Sequence, residues 1–450
     1  MRSMARRQTG LIVLGMAAIV ITACSPTRPA TPSATPSPRA SSTPASKLVA
    51  TGPPSVSVTP ADGAAGVGLD AGIQVSAQNA TVSSVSVDDN GADETLDWVP
   101  SDGGGQWAYS GPLDLDATYA VTATAVSPDG AETVATSTFH TITSANRLLT
   151  SVLYVSSGDT VGIGMPIELQ FNTPIAPADQ AGIIAHIAVI SNPVQPGGWY
   201  WFDDEDVHYR PENFWQSGTQ VTVDADLNGV AAGDGYWGLG DWSMSFSVGA
   251  AHLTLVDTQT RTFYVYDGDS ASTGQLLDTW PTNTGKPGYD TISGTLVVLY
   301  HEPVVVMNSC QTFHTPAACG GDPSDTYNEA VYDDTAVSAD GYFIHAAPWV
   351  CYGDSCSLWP YGDTNSSHGC INLSTDNAVT YYSWSQVGDP VEVVGSTLSA
   401  SYSDGEGDWQ TPWSEWVPGG QDVPSNATPP AAPPPTNVGT PTPAASVAGP

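Results

Sequence analysis

A histidine, a glycine and a cysteine stand together in Ser366-Ser367-His368-Gly369-Cys370-Ile371-Asn372, and a second histidine ends the run Tyr342-Phe343-Ile344-His345. These residue types suit acyl transfer through a thiol. Thiolate is the nucleophilic form, and an imidazole within hydrogen-bonding distance lowers the thiol pKa and can hand its proton to a leaving amine. Glycine beside the cysteine frees the backbone to turn, so that adjacent N–H groups can face a developing oxyanion. His368 is tied to Cys370 by a short piece of backbone, whereas His345 arrives from another strand and can be aimed freely. That difference favours His345 as the base, and pairing with it is expected to hold the Cys370 thiol below its ordinary value of about 8.5. Two histidines and a cysteine are also zinc-ligand types, but a fourth ligand and paired-ligand spacing are missing, so no metal is expected.

The six cysteines are Cys24, Cys310, Cys319, Cys351, Cys356 and Cys370. An exported protein is expected to pair most of them. With Cys24 set aside, since it directly follows the N-terminal apolar run, an odd number remains, and four of those can pair in three ways. Short separations favour Cys310 with Cys319 and Cys351 with Cys356, which leaves Cys370 as the free thiol. Outside the cell such a thiol is open to oxidation, so it calls for a chemical reason. The bland alternative is a small buried hydrophobe.

The elements that must position these groups read as strands. From Ala251 to about Gly395 the clearest are Leu253–Val256, Thr262–Tyr266, Thr295–Tyr300 and Val304–Met307, giving a catalytic domain over 251–395 that is mostly β. One short helix is expected over 374–386, with Ser374 as its N-cap and Ala378, Val379 and Tyr382 on one face. Upstream, Val67-Gly68-Leu69 with Ile73 and Val75 recurs as Val161-Gly162-Ile163 with Ile167 and Leu169. The repeat, the alternating runs at 119–125 and 220–225, and Phe139 and Phe246 near the two ends predict two immunoglobulin-like β-sandwiches, 48–147 and 148–250. Neither contains cysteine, and their expected role is to space and orient the catalytic domain.

Charge and the N-terminus indicate where this chemistry takes place. Forty-six acids face ten bases for a net charge of -36, and beyond position 48 the only cations are Arg147, Arg210, Arg261 and Lys286. A surface so poor in cations excludes nucleic acid as a partner and disfavours adsorption to anionic lipid. Arg2, Arg6 and Arg7 precede an apolar run from Leu11 to Ala23, which has signal-peptide length and is short of the roughly 20 residues a membrane span needs. Export by the general route and by the twin-arginine route are both open. Residues 1–23 are thus read as a signal peptide and 24–47 as a Pro/Ser/Thr-rich tether. In a polyproline-like state, at about 3.1 Å per residue, that tether lifts the remainder roughly 70 Å from the membrane. The Pro/Ala-rich stretch 421–450 is read as a disordered tail.

Two sets of residues carry a family resemblance. Ile344-His345-Ala346-Ala347-Pro348-Trp349 followed by Ser367-His368-Gly369-Cys370-Ile371-Asn372 resembles the signature of L,D-transpeptidases, the YkuD-type catalytic domain. Val391–Val394 and then Gly407-Asp408-Trp409-Gln410-Thr411-Pro412-Trp413-Ser414-Glu415-Trp416 is similar to the C-terminal subdomain of actinobacterial members, here 396–420. Ile21-Thr22-Ala23-Cys24 resembles a lipobox, which implies a lipid anchor on Cys24 and an extracytoplasmic protein facing the cell wall. Those members also carry two immunoglobulin-like domains, so the resemblance covers roughly 48–418.

The resemblance implies attack on the third residue of a peptidoglycan stem tetrapeptide, release of the terminal D-alanine and transfer of the acyl group to the side-chain amine of another stem. It implies 3-3 cross-links, no cofactor, and carbapenem β-lactams as inhibitors. By position, Cys370 matches the nucleophile and His345 the base, oriented by the carbonyl of the residue after it. His368 and Gly369 match the turn that shapes the oxyanion site. Met307 and Tyr327 match pocket and flap residues, and Ser367 and Asn372 complete the motif on the substrate side, Asn372 with a structural task. Two departures stand out: a longer segment 350–365 with Cys351 and Cys356, and a cysteine pair in the flap. Hydrolysis of the same acyl-enzyme, as in a thiol L,D-carboxypeptidase, and a non-catalytic wall-binding lipoprotein are the competing readings; the second leaves the Cys and His set unexplained.

Overall fold

Period-2 alternation builds the first sandwich. In Thr118–Val126 the residues Tyr119, Val121, Ala123 and Ala125 are buried, and Tyr119 stacks on Phe139 at 5.3 Å. The structure, a computed structural model, describes residues 52–101, 103–313, 317–322, 325–350, 361–402 and 407–417. Cys24, Cys351, Cys356, the tether and the tail lie outside the described residues. Thr118–Val126 pairs antiparallel with Thr81–Asp89 and Glu132–His140, and this sheet packs on one made of Ser55–Thr59, Ile73–Gln78, Gln106–Tyr109 and Val99–Pro100.

The second sandwich pairs Thr150–Leu153, Ile167–Phe171, Asp206–Pro211 and Gly197–Trp201 in one sheet and Thr160–Val161, Trp242–Val248, Gln220–Ala225 and Ile187–Asn192 in the other. The two sequence copies occupy equivalent places. Val67 bridges Thr141 in parallel and Val161 pairs Val248 in parallel, while Ile73, Val75, Ile167 and Leu169 all point into the cores. A helix, Pro177–Ile184, interrupts the second unit; with Ile183 as its buried residue it has almost no apolar period, so the strand reading passed over it.

In the catalytic region a five-stranded sheet runs Gln275–Pro281, Thr262–Asp267, His252–Asp257, Pro390–Val394, Gly294–Val297. A four-stranded sheet runs Tyr300–Asn308, Asn328–Ala336, Phe343–Ala346, Ile371–Leu373. Val256, Phe263, Ile344, Ile371, Leu373 and Val391 share one core with Tyr381 of the helix Thr375–Trp384. Ser374 caps that helix, its side chain accepting from the Asn377 amide at 3.3 Å. Its inward face is Ala378 with Tyr381, and Val379 is 45% exposed, unlike the expected Ala378, Val379 and Tyr382 face. What selects Tyr381 is distant in sequence: Thr254 Oγ1 donates to its hydroxyl at 3.1 Å and Phe263 packs edge-on at 5.0 Å.

The second sandwich grips the catalytic region directly. Gly162 N–H donates to Val387 O at 2.7 Å, and a Cβ on Gly162 would lie 2.2 Å from Asp389 N, so only glycine permits the approach. Trp409 Nε1 donates to Gly164 O and Trp416 Nε1 to Gly198 O, each at 2.8 Å. Arg210 lies 4.4 Å from the Trp416 ring and 4.7 Å from that of Trp409, and its Nε donates to Asp408 O at 2.9 Å.

Beside it the buried His208 meets Asp408 through Nδ1 at 3.0 Å and Glu168 through Nε2 at 3.9 Å. Burial alone would push His208 down, but the Asp408 and Glu168 carboxylates reverse this and hold it up to about 9. Burial raises Glu168 as well, and His208 opposes that rise. Both groups bind protons more tightly in the folded state, and the contribution of His208, full below about 6.5, is lost as pH rises to about 9. The melting temperature is expected to fall by several degrees over that window. Asp408→Asn should melt below the parent at pH 6.5 and converge on it by pH 9.5; parallel melting curves against pH would contradict the assignment.

Candidate active site

Cys370 sits at the mouth of the strand Ile371–Leu373, which pairs in parallel with Phe343–Ala346 so that His345 lies opposite Asn372. Alternation turns Ile344, Ala346, Ile371 and Leu373 into the core and places His345, Asn372 and Cys370 on the other face. Cys370 is a free thiol, half-buried against the apolar cluster that includes Phe343 and Ala336.

The turn before it is pinned from several sides. Gly369 has φ of +123°, and a Cβ there would meet the Tyr342 ring at 2.9 Å. The Gly369 amide donates to Ser367 Oγ at 3.1 Å, Ser367 Oγ donates to Cys370 O at 2.6 Å, and Thr291 Oγ1 donates to Gly369 O at 2.6 Å. Ser367 therefore works within the turn. Asn372 ties its strand to the preceding loop, its amide donating to Asn283 O at 2.8 Å and its carbonyl accepting from Thr282 Oγ1 at 2.8 Å.

His345 is buried, and its Nδ1–H donates to Ala346 O at 2.9 Å, which leaves Nε2 as the basic nitrogen. Burial pushes the imidazole down to about 4 and the Cys370 thiol up to about 12. The depressed thiol expected from spacing is not what this environment favours. With the imidazole buried and the thiol half-buried against apolar side chains, the resting groups are a neutral imidazole and a neutral thiol, whose S–H points to Gly341 O at 3.9 Å.

His368 serves a different set of neighbours. Its ring lies 4.7 Å from Tyr289, 4.9 Å from Tyr327 and 6.1 Å from Phe313, and its Nε2 accepts from Lys286 Nζ at 3.0 Å. Lys286 also donates to Asp325 at 2.8 Å. The same His368 nitrogen lies 3.7 Å from Asp325 Oδ1. A cavity of about 380 Å³ opens here, lined by Tyr289, Phe313, Tyr342, His368 and Leu398 among others.

The flap between Tyr300–Asn308 and Asn328–Ala336 is closed by a Cys310–Cys319 disulfide. Ser309 Oγ donates to Ala318 O at 2.7 Å and accepts from the Tyr327 amide at 3.0 Å. Tyr327 is half-buried, and its hydroxyl is pushed up to about 12 by burial first and by Cys370 second. Lys286, Asp325, Tyr289 and Thr291 were not singled out from the sequence. Lys286 alone had a signal, as one of four cations beyond position 48.

A family model described as L,D-transpeptidase catalytic domain matches residues 251–393, and one described as bacterial Ig domain matches residues 64–231. L,D-transpeptidase 2 of Mycobacterium tuberculosis (strain CDC 1551 / Oshkosh) is 32% identical over 370 residues, covering 81% of this chain and 85% of that one. L,D-transpeptidase 5 of Mycobacterium tuberculosis (strain ATCC 25618 / H37Rv) is 33% identical over 313 residues, covering 68% and 64%. The solved structure of the LD transpeptidase LdtMt1 in complex with imipenem is 27% identical with a TM-score of 0.44, over 56% of this chain and all of that one. The match to L,D-transpeptidase 2 spans four-fifths of this chain and more than four-fifths of that one, and on it the chain belongs to the L,D-transpeptidase family.

Proposed function

We propose that the protein is a cysteine-dependent peptidoglycan L,D-transpeptidase that forms 3-3 cross-links. The observation that carries the reading is the pairing of two strands: one presents His345 with Nδ1–H fixed on Ala346 O, and the other begins at the free thiol of Cys370 on the same face. Cys370 Sγ attacks the carbonyl of the third residue of a donor tetrapeptide while its proton passes to His345 Nε2. The tetrahedral intermediate collapses, the bond to D-alanine breaks, and His345 returns the proton to the leaving amine. The side-chain amine of an acceptor stem then attacks the thioester, His345 takes its proton, and collapse restores the thiol. Ser367 already holds the Gly369 amide, so the Cys370 amide is the donor left in the turn for the oxyanion. Met307 and Tyr327 flank the donor peptide.

Transfer and hydrolysis share the first half of this scheme. Incubation with a defined tetrapeptide, read by mass spectrometry, distinguishes them: dimers with release of D-alanine support transfer, and free tripeptide alone assigns a carboxypeptidase. Cys24 carries the lipid anchor in this reading, placing the enzyme outside the membrane and against the wall. Cys24→Ala should detach the protein from membranes or leave it unprocessed, and parent protein recovered free with an unmodified N-terminus would end that part of the proposal.

A further inference from the structure

The strand Asn328–Ala336 bulges where it runs beside Phe343–Ala346. Tyr332 pairs with Ala346 and Thr335 with Ile344, so Asp333 and Asp334 together oppose the single residue His345. Asp333 takes φ of +55° to accommodate the extra residue. Bulges of this kind re-aim side chains, and this one buries Asp334 completely. Neither of its carboxylate oxygens has a hydrogen-bond partner among the described residues; the Val305 amide faces it without closing a bond of normal geometry. Val305 and Ala336, which flank it, belong to the apolar cluster under Cys370.

A buried carboxyl without a cation or a full set of donors is costly to ionise and needs an account. The charges around it do not supply one. Asp333 of its own strand and Glu302 of the paired strand are of the same sign, Tyr300 approaches from that paired strand, Cys370 from the turn, and His345 stands opposite on the neighbouring strand. No described group offers a compensating positive charge.

Resting on the reading of Cys370 as nucleophile, we propose that Asp334 is a positioning residue that acts through Cys370: neutral, it leaves the thiol free to react, and ionised, it opposes both thiolate and oxyanion. Two anions cannot share so small a volume of low dielectric, so ionisation of one suppresses the other. Burial pushes Asp334 up to about 7, so its charge changes near neutral pH. Asp334 thus keeps the resting nucleophile protonated and leaves its deprotonation to His345 during attack.

The test is the pH profile of iodoacetamide alkylation of the full chain, read by mass at Cys370, for the parent, Asp334→Asn and Asp334→Leu, with Cys370→Ala as the blank. Below pH 6 the three should react alike. At pH 9 both variants should react roughly tenfold faster, because the opposing charge is gone. Rate ratios constant across pH would reduce Asp334 to a structural role and overturn the proposal. Should the variants fail to fold, the parent profile decides alone: two coupled ionisations with a shallow slope support it, and one ionisation of full slope overturns it. Alkylation reports the thiol itself, so this result stands even where the cross-linking assay fails.

Discussion

Cys370→Ala is expected to abolish both cross-linking of stem peptides and retention of a carbapenem, while the fold survives. In the proposed chemistry a carbapenem acylates the same sulfur that the donor stem does, so its mass should appear on the Cys370 peptide of the parent and be missing from the variant. The sulfur is half-buried against the cluster that includes Phe343 and Ala336, and its loss leaves a void of about one atom. That costs on the order of 1 kcal/mol or less, too little to unfold a chain of this size. The turn is held by Ser367, Gly369 and Thr291 through backbone atoms, and none of those bonds needs the thiol. Removing a nucleophile that defines the mechanism lowers turnover by roughly a thousandfold to a millionfold. Intact-mass analysis and chromatography of the cross-linked products read both effects. Cross-linking by the alanine variant within about tenfold of the parent would show that another group carries the acyl chain.

Much of this site was legible because its chemistry is local in sequence. The order Ser367, His368, Gly369, Cys370 predicts a turn ending in a nucleophile, and φ of +123° at Gly369 is the conformation for which that glycine is suited. The repeat of Val67-Gly68-Leu69 as Val161-Gly162-Ile163 likewise identified two sandwiches, because each copy fills the same place in a β core. It did not reveal that Gly162 of the second copy also touches the catalytic region at Val387 and Asp389, since close backbone approach leaves no mark on composition.

What the sequence hid depends on groups brought together from far apart. Lys286 reaches His368 and Asp325 across separate loops, and Asp334 comes to lie opposite His345 only through a bulge that no periodicity announces. The direction of the thiol pKa was hidden for the same reason. Residue types argue for an ion pair between imidazole and thiolate, whereas the sheet buries both groups and favours their neutral forms. Spacing carries identity and order, but not solvation.

The two histidines should therefore separate by pH. His345, with Nδ1–H on Ala346 O and burial holding the imidazole down to about 4, is neutral through most of the acid range. Acylation by a carbapenem should keep its rate down to roughly pH 5 and fall near pH 4, well below the ordinary histidine value of about 6.5. Stability follows the same group: the unfolded chain takes up a proton near 6.5 that the folded chain refuses until about 4, so stability is lost as pH falls across that interval. His345→Ala should cut acylation by about a hundredfold to ten-thousandfold and remove the acid limb. Its alkylation profile should stay near that of the parent, because no ion pair exists at rest to be lost. His368→Ala should act otherwise, since that ring is packed among Tyr289, Tyr327 and Phe313 and accepts from Lys286. Emptying that cage loosens the flap and the turn together, so melting temperature falls and acylation drops by about tenfold, with the acid limb unmoved. Rates of carbapenem acylation from pH 3.5 to 9 for the parent and both variants decide the matter. If the acid limb moves in His368→Ala and persists in His345→Ala, the base is His368 and the proton path must be redrawn through Lys286.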